Sequence, residues 1–136
     1  MEKHESVLQK FRGLLTKRAL IIDDDPIFRA TTKFFLERHK RFEVCALDSA
    51  QYAIDTFQNF APNIVLLDFE MPDPNGYEIF GMLKRHFLGT KVPICFVTGS
   101  DESALRQKLI DEGAAKVFSK IWDDDMAENM YKIALQ

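Results

Sequence analysis

Five polar side chains of this sequence lie at or just after the ends of short apolar runs, and together they have the chemistry of a phosphoryl-transfer site. They are Asp23, Asp24, Asp68, Thr98 and Lys120. Three carboxylates brought together without a cation would repel one another strongly. Oxygen-only ligands suit a hard cation such as Mg²⁺, which keeps several of its waters. A carboxylate nucleophile, a metal, a hydroxyl and an ammonium group are the components that phosphoryl transfer needs.

These side chains can act together only if the fold brings them to one place, and the pattern of the sequence predicts such a fold. Apolar runs alternate with segments of helical periodicity, which is typical of five βα units. The predicted strands are 19–22, 42–47, 64–67, 92–97 and 116–119, and the predicted helices are 26–39, 49–60, 77–87, 100–112 and 123–135. Strands that are apolar on both faces indicate a doubly wound α/β fold with a parallel sheet. In such sheets the ligand crevice lies beyond the carboxyl ends of the strands, where the five polar residues are expected.

Several other polar residues are interpreted as purely structural. Asp25 is the expected N-cap of a helix that has Pro26 at its first position, and the acidic run 123–125 is the expected start of the last helix. Gly113 is the expected residue just after the end of helix 100–112. Asn75-Gly76 is interpreted as a turn.

Residues 1–17 form a separate N-terminal segment, and residues 18–136 form the main domain. A stripe of apolar residues at helical spacing predicts an amphipathic helix, with the stripe at positions 7, 11, 14 and 15. An exposed apolar stripe is unfavourable, so we expect it to pack, preferably against a second subunit in a homodimer.

Composition limits the classes of function that remain. A chain of 136 residues can bury one core, and a net charge of −3 argues against a broad nucleic-acid surface. The sequence contains no apolar stretch near the roughly 20 residues that span a bilayer, and no signal-peptide core, so a cytoplasmic location is expected. Cys45 and Cys95 lie far apart in apolar runs and are interpreted as buried hydrophobic residues.

Four motifs occur in order along residues 18–136, namely IIDDDP, VLLDFEMPDPNGYE, PICFVTGS and SK. In sequence, order and spacing they resemble the motifs of response-regulator receiver domains of two-component signalling. The resemblance implies a flavodoxin-like fold with a five-stranded parallel sheet of order 2-1-3-4-5. It implies that Asp68 is the phosphoacceptor and that Asp24 is a direct ligand of Mg²⁺. Asp23 would hold the metal largely through water, and the backbone carbonyl of Glu70 would be a further ligand.

The same resemblance implies the rest of the reaction. Thr98 and Lys120 would bind phosphoryl oxygens, and the phosphoryl group would come from a sensor histidine kinase or a histidine phosphotransfer protein. The output would be contact with a downstream protein target, without nucleic acid or membrane. Apart from its own phosphorylation and dephosphorylation on aspartate, the chain is not expected to be an enzyme.

Two positions depart from the family pattern. Ile121 follows Lys120 where the family usually has proline with a cis peptide bond. Because a cis bond before another residue costs about 2.5–4 kcal/mol, we expect the Lys120–Ile121 bond to be trans. Val117 stands where the family usually has a Tyr or Phe, and Phe118 should point to the opposite face. We therefore expect signalling to run through the loop 99–101 and the helix after it.

Two other functions are compatible with parts of the sequence. Ile121 and Val117 give some weight to a receiver-like module that binds partners without being phosphorylated. A haloacid-dehalogenase-like phosphatase could use Asp68-Phe69-Glu70 as its motif. The small size of the chain and the glutamate in place of a second aspartate argue against the phosphatase.

Overall fold

The computed structural model describes residues 16–38 and 41–136, within which five strands alternate with five helices. The strands are β1 (Lys17–Ile22), β2 (Phe42–Leu47), β3 (Ile64–Asp68), β4 (Ile94–Thr98) and β5 (Lys116–Ser119). The helices are α1 (Pro26–Glu37), α2 (Ala53–Phe60), α3 (Gly76–His86), α4 (Ser103–Asp111) and α5 (Asp124–Leu135). All strand pairs are parallel, in the order β2-β1-β3-β4-β5, which confirms the predicted fold.

Residues 1–15 lie outside the described part of the chain, and they contain most of the predicted N-terminal helix and its whole apolar stripe. The expected homodimer depends on that stripe and therefore stays a prediction. The structure does place the start of β1 at Lys17, inside the segment assigned to that extension. Lys17 and Arg18 pair with Phe42 and Glu43 of β2. Because the first two residues of β1 are charged, the apolar pattern predicted a strand that begins only at position 19.

Two layers of helices cover the sheet. Strands β3 and β4 are buried at every position, because helices pack on both of their faces. Helices α1 and α5 pack on one face, and α2, α3 and α4 pack on the other. Strand alternation sends Val117 to the α2–α3–α4 face and Phe118 to the α1–α5 face, as predicted.

The predicted helix caps are present. The side chain of Asp25 accepts a hydrogen bond from the backbone N–H of Ile27 at 2.9 Å, and that of Asp123 accepts one from Met126 at 2.8 Å. Gly113 follows α4 with a φ of 109°, a left-handed conformation that suits glycine. These caps fix where the helices stand relative to the strand ends.

Helix α2 begins four residues later than predicted and α4 three residues later, and serine side chains explain the delay. The hydroxyl of Ser49 accepts from the N–H of Gln51 at 3.4 Å, and that of Ser100 accepts from Glu102 at 3.1 Å. Such local bonds hold the backbone in turns and compete with helix formation. Helix α1 ends two residues early, because Arg38 adopts extended backbone with a ψ of 141°. None of the described helices is both long and apolar enough to cross a membrane.

Candidate functional site

Three carboxylates meet at the carboxyl edge of the sheet. Strands β1 and β3 are parallel neighbours with Ile22 beside Leu67, so the residues that follow, Asp23 and Asp68, come to lie side by side. Asp23, Asp24 and Asp68 each offer an oxygen within 4.8 Å of the others. Asp23 and Asp68 are both 1% exposed, whereas Asp24 is open to solvent. The structure therefore brings together the three acids that the sequence singled out.

Lys120 supplies an ammonium group to these acids from the end of β5. Its Nζ lies 3.3 Å from Oδ2 of Asp68 and 3.5 Å from Oδ2 of Asp23. The same nitrogen lies 4.9 Å from the centre of the Phe28 ring, a cation–π contact from α1. The lysine is thus held between the two buried carboxylates and an aromatic face.

Burial and the closeness of two carboxylates shift the pKa values of the site residues. Burial, and after it the Asp23 carboxylate, raise the pKa of Asp68 to about 7 against the opposing effects of the Glu70 N–H and Lys120. Burial also raises the pKa of Asp23, against the Asp25 N–H and Lys120. Burial would lower the pKa of Lys120, but the two carboxylates outweigh it and raise that pKa. One ammonium does not fully compensate the two buried acids.

The residues present fit a hard divalent cation. Oδ2 of Asp23 is buried and accepts no hydrogen bond among the described residues, and the Lys120 ammonium meets it only as an ion pair at 3.5 Å. Such an oxygen is costly unless a cation or donor satisfies it. Its Oδ1 already accepts from the N–H of Asp25 at 2.8 Å, which fixes the carboxylate. An all-oxygen cluster with one exposed member suits Mg²⁺, which retains water ligands.

The loop after Lys120 is held in place without proline. Asp73–Pro74 is the one cis peptide bond among the described residues, so the Lys120–Ile121 bond is trans, as expected. The N–H of Lys120 donates to the carbonyl of Thr98 at 3.0 Å. Two residues on, the indole N–H of Trp122 donates to the Thr32 hydroxyl at 2.6 Å. Contacts to β4 and α1 thus position the lysine.

Thr98 ends β4 fully buried, and its hydroxyl is engaged by a side chain that the sequence did not single out. The hydroxyl donates to Oε1 of Glu70, and the N–H of Gly99 donates to the same oxygen at 2.9 Å. The hydroxyl oxygen in turn accepts from the N–H of Ser100 at 3.0 Å. Only the backbone carbonyl of Glu70 was assigned a role. The side-chain contact joins residues 28 positions apart and leaves no periodic signal in the sequence.

Gly76 has a structural role beyond the turn that was predicted. Asn75 caps α3 by accepting from the N–H of Glu78 at 2.9 Å, in a capping box that the Asn-x-x-Glu spacing could have revealed. A Cβ on Gly76 would lie 2.1 Å from the carbonyl oxygen of Asp68. Only glycine lets α3 approach the backbone of the central aspartate so closely.

Arg106 of α4 connects the loop after Thr98 to β5, and sequence inspection did not identify it. Its guanidinium donates to the carbonyl of Ser100 at 3.1 Å and to the carbonyl of Val117 at 2.9 Å. It also donates to the hydroxyl of Ser119 at 3.1 Å. A single side chain therefore bonds to the loop and to β5, where Val117 stands in the position that is usually aromatic.

Two aliphatic residues next to the cleft are exposed to solvent. Ile27, at the start of α1, is 77% exposed, and Ile121, beside Lys120, is 72% exposed. Exposed aliphatic residues are ordinary one at a time. Their position beside the buried acids makes them candidates for contact with a partner that approaches the site.

Comparison with known proteins agrees with the geometry. The family model of the response regulator receiver domain matches residues 19–132 of this chain. The chain is 33% identical over 95 residues to the sensory transduction protein LytT of Bacillus cereus, covering 69% of this chain and 38% of that protein. It is 28% identical to the transcriptional regulatory protein CrdR of Helicobacter pylori, covering 87% of this chain and 54% of that protein. The chain thus spans about half or less of the length of these relatives.

Solved structures show the same fold. A CheY-like response regulator receiver domain protein from Methanospirillum hungatei superposes with a TM-score of 0.75 at 26% identity, covering 88% of this chain and 94% of that one. The BeF3-activated receiver domain of RstA from Klebsiella pneumoniae superposes with a TM-score of 0.75 at 20% identity, covering 88% and 98%. At that lower identity the likeness concerns the fold alone.

Proposed function

This chain belongs to the response regulator receiver domains of two-component signal transduction, and from that membership we propose that Asp68 accepts a phosphoryl group. The observation that carries the proposal is the position of its carboxylate. Asp68 is buried at the end of the central strand, with Lys120 Nζ at 3.3 Å and two further acids within reach of a shared cation. The intact acid cluster supports phosphorylation over a module that binds partners without it.

The reaction forms one bond and breaks one. An oxygen of the Asp68 carboxylate attacks phosphorus, and the P–N bond of a phosphohistidine breaks with its electron pair leaving on the imidazole. The product is an acyl phosphate, which water later hydrolyses. The N–H of Glu70 donates to Oδ1 of Asp68 at 3.1 Å and so orients the carboxylate. Lys120 offsets charge on the phosphoryl oxygens, and the role of the protein is mainly positioning and electrostatic stabilisation.

Asp23, Asp24, Asp68 and the backbone carbonyl of Glu70 are the residues that would hold Mg²⁺. When bound, the cation neutralises charge on the carboxylates and on the phosphoryl oxygens. The chain's own contribution is a fixed set of oxygens. The hydrogen bond from Asp25 to Asp23 holds one of them, and the neighbouring strands β1 and β3 fix the spacing.

The proposed partners are a sensor histidine kinase or histidine phosphotransfer protein upstream and a protein target downstream, in the cytoplasm. Ile27 and Ile121 are exposed residues of the two segments that follow β1 and β5, and they would provide apolar contact to a phosphohistidine domain around the cleft. Several relatives are named transcriptional regulatory proteins, and they are longer than this chain. For residues 18–136 we propose signalling through protein contacts, without nucleic-acid binding and without turnover of an external substrate.

The test is phosphorylation by acetyl phosphate with Mg²⁺, followed by intact-protein mass. We expect the protein to gain one phosphoryl group and the Asp68→Asn variant to gain none. Asp48→Asn is the matched control, because Asp48 is an exposed acid just after β2, which β1 separates from the strand of Asp68. Equal labelling of Asp68→Asn and the parent would refute the assignment.

A further inference from the structure

We propose that the side chain of Glu70 is an internal competitor of the phosphoryl group for the donors at the end of β4. This inference rests on the proposed function, because it concerns what the site must release when Asp68 is phosphorylated. Glu70 would hold Thr98 and Gly99 in the unphosphorylated arrangement and would set how readily they turn to a phosphoryl oxygen.

The contacts are those of a small anion site that is already filled. One oxygen of Glu70 accepts from both the Thr98 hydroxyl and the Gly99 N–H, the latter at 2.9 Å. Thr98 is fully buried, whereas Glu70 is exposed. Thr98 therefore belongs to the buried edge of the sheet, Gly99 begins the exposed loop after it, and the carboxylate that meets both donors reaches in from the surface.

The donors cannot serve two anions at once. A hydroxyl has one proton to donate, so Thr98 must release Glu70 before it donates to a phosphoryl oxygen. The hydrogen bond between Ser100 and Thr98 does not use this proton, because there the Thr98 hydroxyl oxygen accepts from the N–H of Ser100 at 3.0 Å. A phosphoryl group and the Glu70 carboxylate would also repel each other as like charges.

Glu70 would weaken the binding of a phosphoryl group by Thr98 and Gly99 without preventing it. Glu70 is exposed, so its two hydrogen bonds compete with water and contribute modestly to the free energy. A competitor of this strength multiplies the apparent affinity for the second anion by the fraction of molecules in which the donors are free. We expect removal of the side chain to tighten anion binding by about 3-fold to 10-fold.

The experiment compares the parent with Glu70→Ala, Glu70→Gln and the control Glu102→Ala. Glu102 is an exposed acid in the same β4–α4 connection, and its side chain does not cap α4. Beryllofluoride, a mimic of the phosphoryl group, is titrated at saturating Mg²⁺ and followed by amide NMR. Hydrogen exchange of the Gly99 amide is measured in the same proteins without beryllofluoride or Mg²⁺.

We expect Glu70→Ala to bind beryllofluoride several-fold more tightly than the parent and to lose protection of the Gly99 amide. Glu70→Gln keeps an acceptor oxygen without the charge, so it should lie between them, and Glu102→Ala should match the parent. A Gly99 amide equally exposed in parent and Glu70→Ala would overturn the contact. Equal or weaker binding by Glu70→Ala would overturn the competition while leaving the proposed function intact. If no form binds beryllofluoride, the proposed function falls, and this inference falls with it.

Discussion

Lys120 Nζ lies 3.3 Å from Oδ2 of Asp68, close enough for the ammonium to pair with the carboxylate that we propose as the nucleophile. The same nitrogen is 3.5 Å from Asp23, so one cation serves two buried acids. When a phosphoryl group joins Asp68, this nitrogen is placed to meet the added negative charge. The contact therefore links the resting site to its proposed reaction.

Replacing this lysine tests that link. We expect Lys120→Met to slow phosphorylation by acetyl phosphate at least about tenfold, because a positioned charge at developing anionic oxygens is lost. The rate of mass gain measures it. Lys116→Met is the control, since Lys116 begins the same strand and is exposed. Equal rates for Lys120→Met and the parent would remove Lys120 from the reaction.

Metal removal should destabilise the folded protein. Mg²⁺ that binds only the folded chain adds to the free energy of unfolding, by about 2.7 kcal/mol at a hundred times its Kd. We expect Mg²⁺ to raise the Tm of the parent, EDTA to reverse the gain, and Asp23→Asn to lose most of it. Asp48→Asn should keep the full gain. A Tm that responds equally in Asp23→Asn would place the cation elsewhere.

The raised pKa of Asp68 predicts a pH dependence of stability in the metal-free protein. Its folded pKa of about 7 lies above the ordinary 3.8, so the folded state binds a proton more tightly than the unfolded state. This carboxyl therefore lowers stability as pH rises from about 4 to about 7. Asp68→Asn removes the effect and should be more stable than the parent above pH 7, by on the order of 1 kcal/mol.

Urea unfolding in EDTA on both sides of pH 7 measures this difference. The gain of Asp68→Asn over the parent should shrink as the pH falls, and it should also shrink when Mg²⁺ is added to the parent. A gain that is constant with pH would show that Asp68 ionises as it does in the unfolded chain.

Donor docking can be separated from chemistry. We expect Ile27→Glu and Ile121→Glu to lower the rate of transfer from a phosphohistidine domain about tenfold, as loss of an apolar contact at a protein interface does. Phosphorylation by acetyl phosphate should be unchanged. Leu88→Glu is the control, because Leu88 is 85% exposed and lies before β4, away from the carboxyl edge. An equal loss of rate with the phosphohistidine domain and with acetyl phosphate would mean that the substitutions disturb the site itself.

The route of the signal is the last prediction. With Val117 in place of a ring, amide shifts on adding beryllofluoride should be large at residues 99–106 and small at 116–121. Arg106→Met should reduce the shifts that remain in β5, because Arg106 bonds to both segments. Large changes confined to 116–121, with 99–105 silent, would contradict this route.

The acids could be predicted because they end or follow short apolar runs whose length and β-branched residues indicate buried strands. Parallel pairing then fixes Asp23 beside Asp68, and Thr98 and Lys120 follow from the next two strand ends. This part of the site depends on the backbone, which hydrophobic patterning encodes well. The direction of Val117 and Phe118 was predictable for the same reason.

The parts that could not be predicted depend on side-chain geometry between distant segments. The contact of Glu70 with Thr98 requires a particular side-chain conformation at the end of β3, and the bonds of Arg106 require the final spacing of α4 and β5. The late starts of α2 and α4 come from Ser49 and Ser100, whose hydroxyls bond locally. Periodicity does not record such competition.

The closeness of α3 to the phosphoacceptor has a consequence for protein engineering. A biosensor or rewired pathway built on this domain would vary the exposed surface of α3 to change which proteins it meets. Any side chain at position 76 would collide with the carbonyl oxygen of Asp68, 2.1 Å from the Cβ position. A library that randomises α3 should therefore keep the glycine codon fixed, or a share of its members would lose the reaction before their new specificity could be selected.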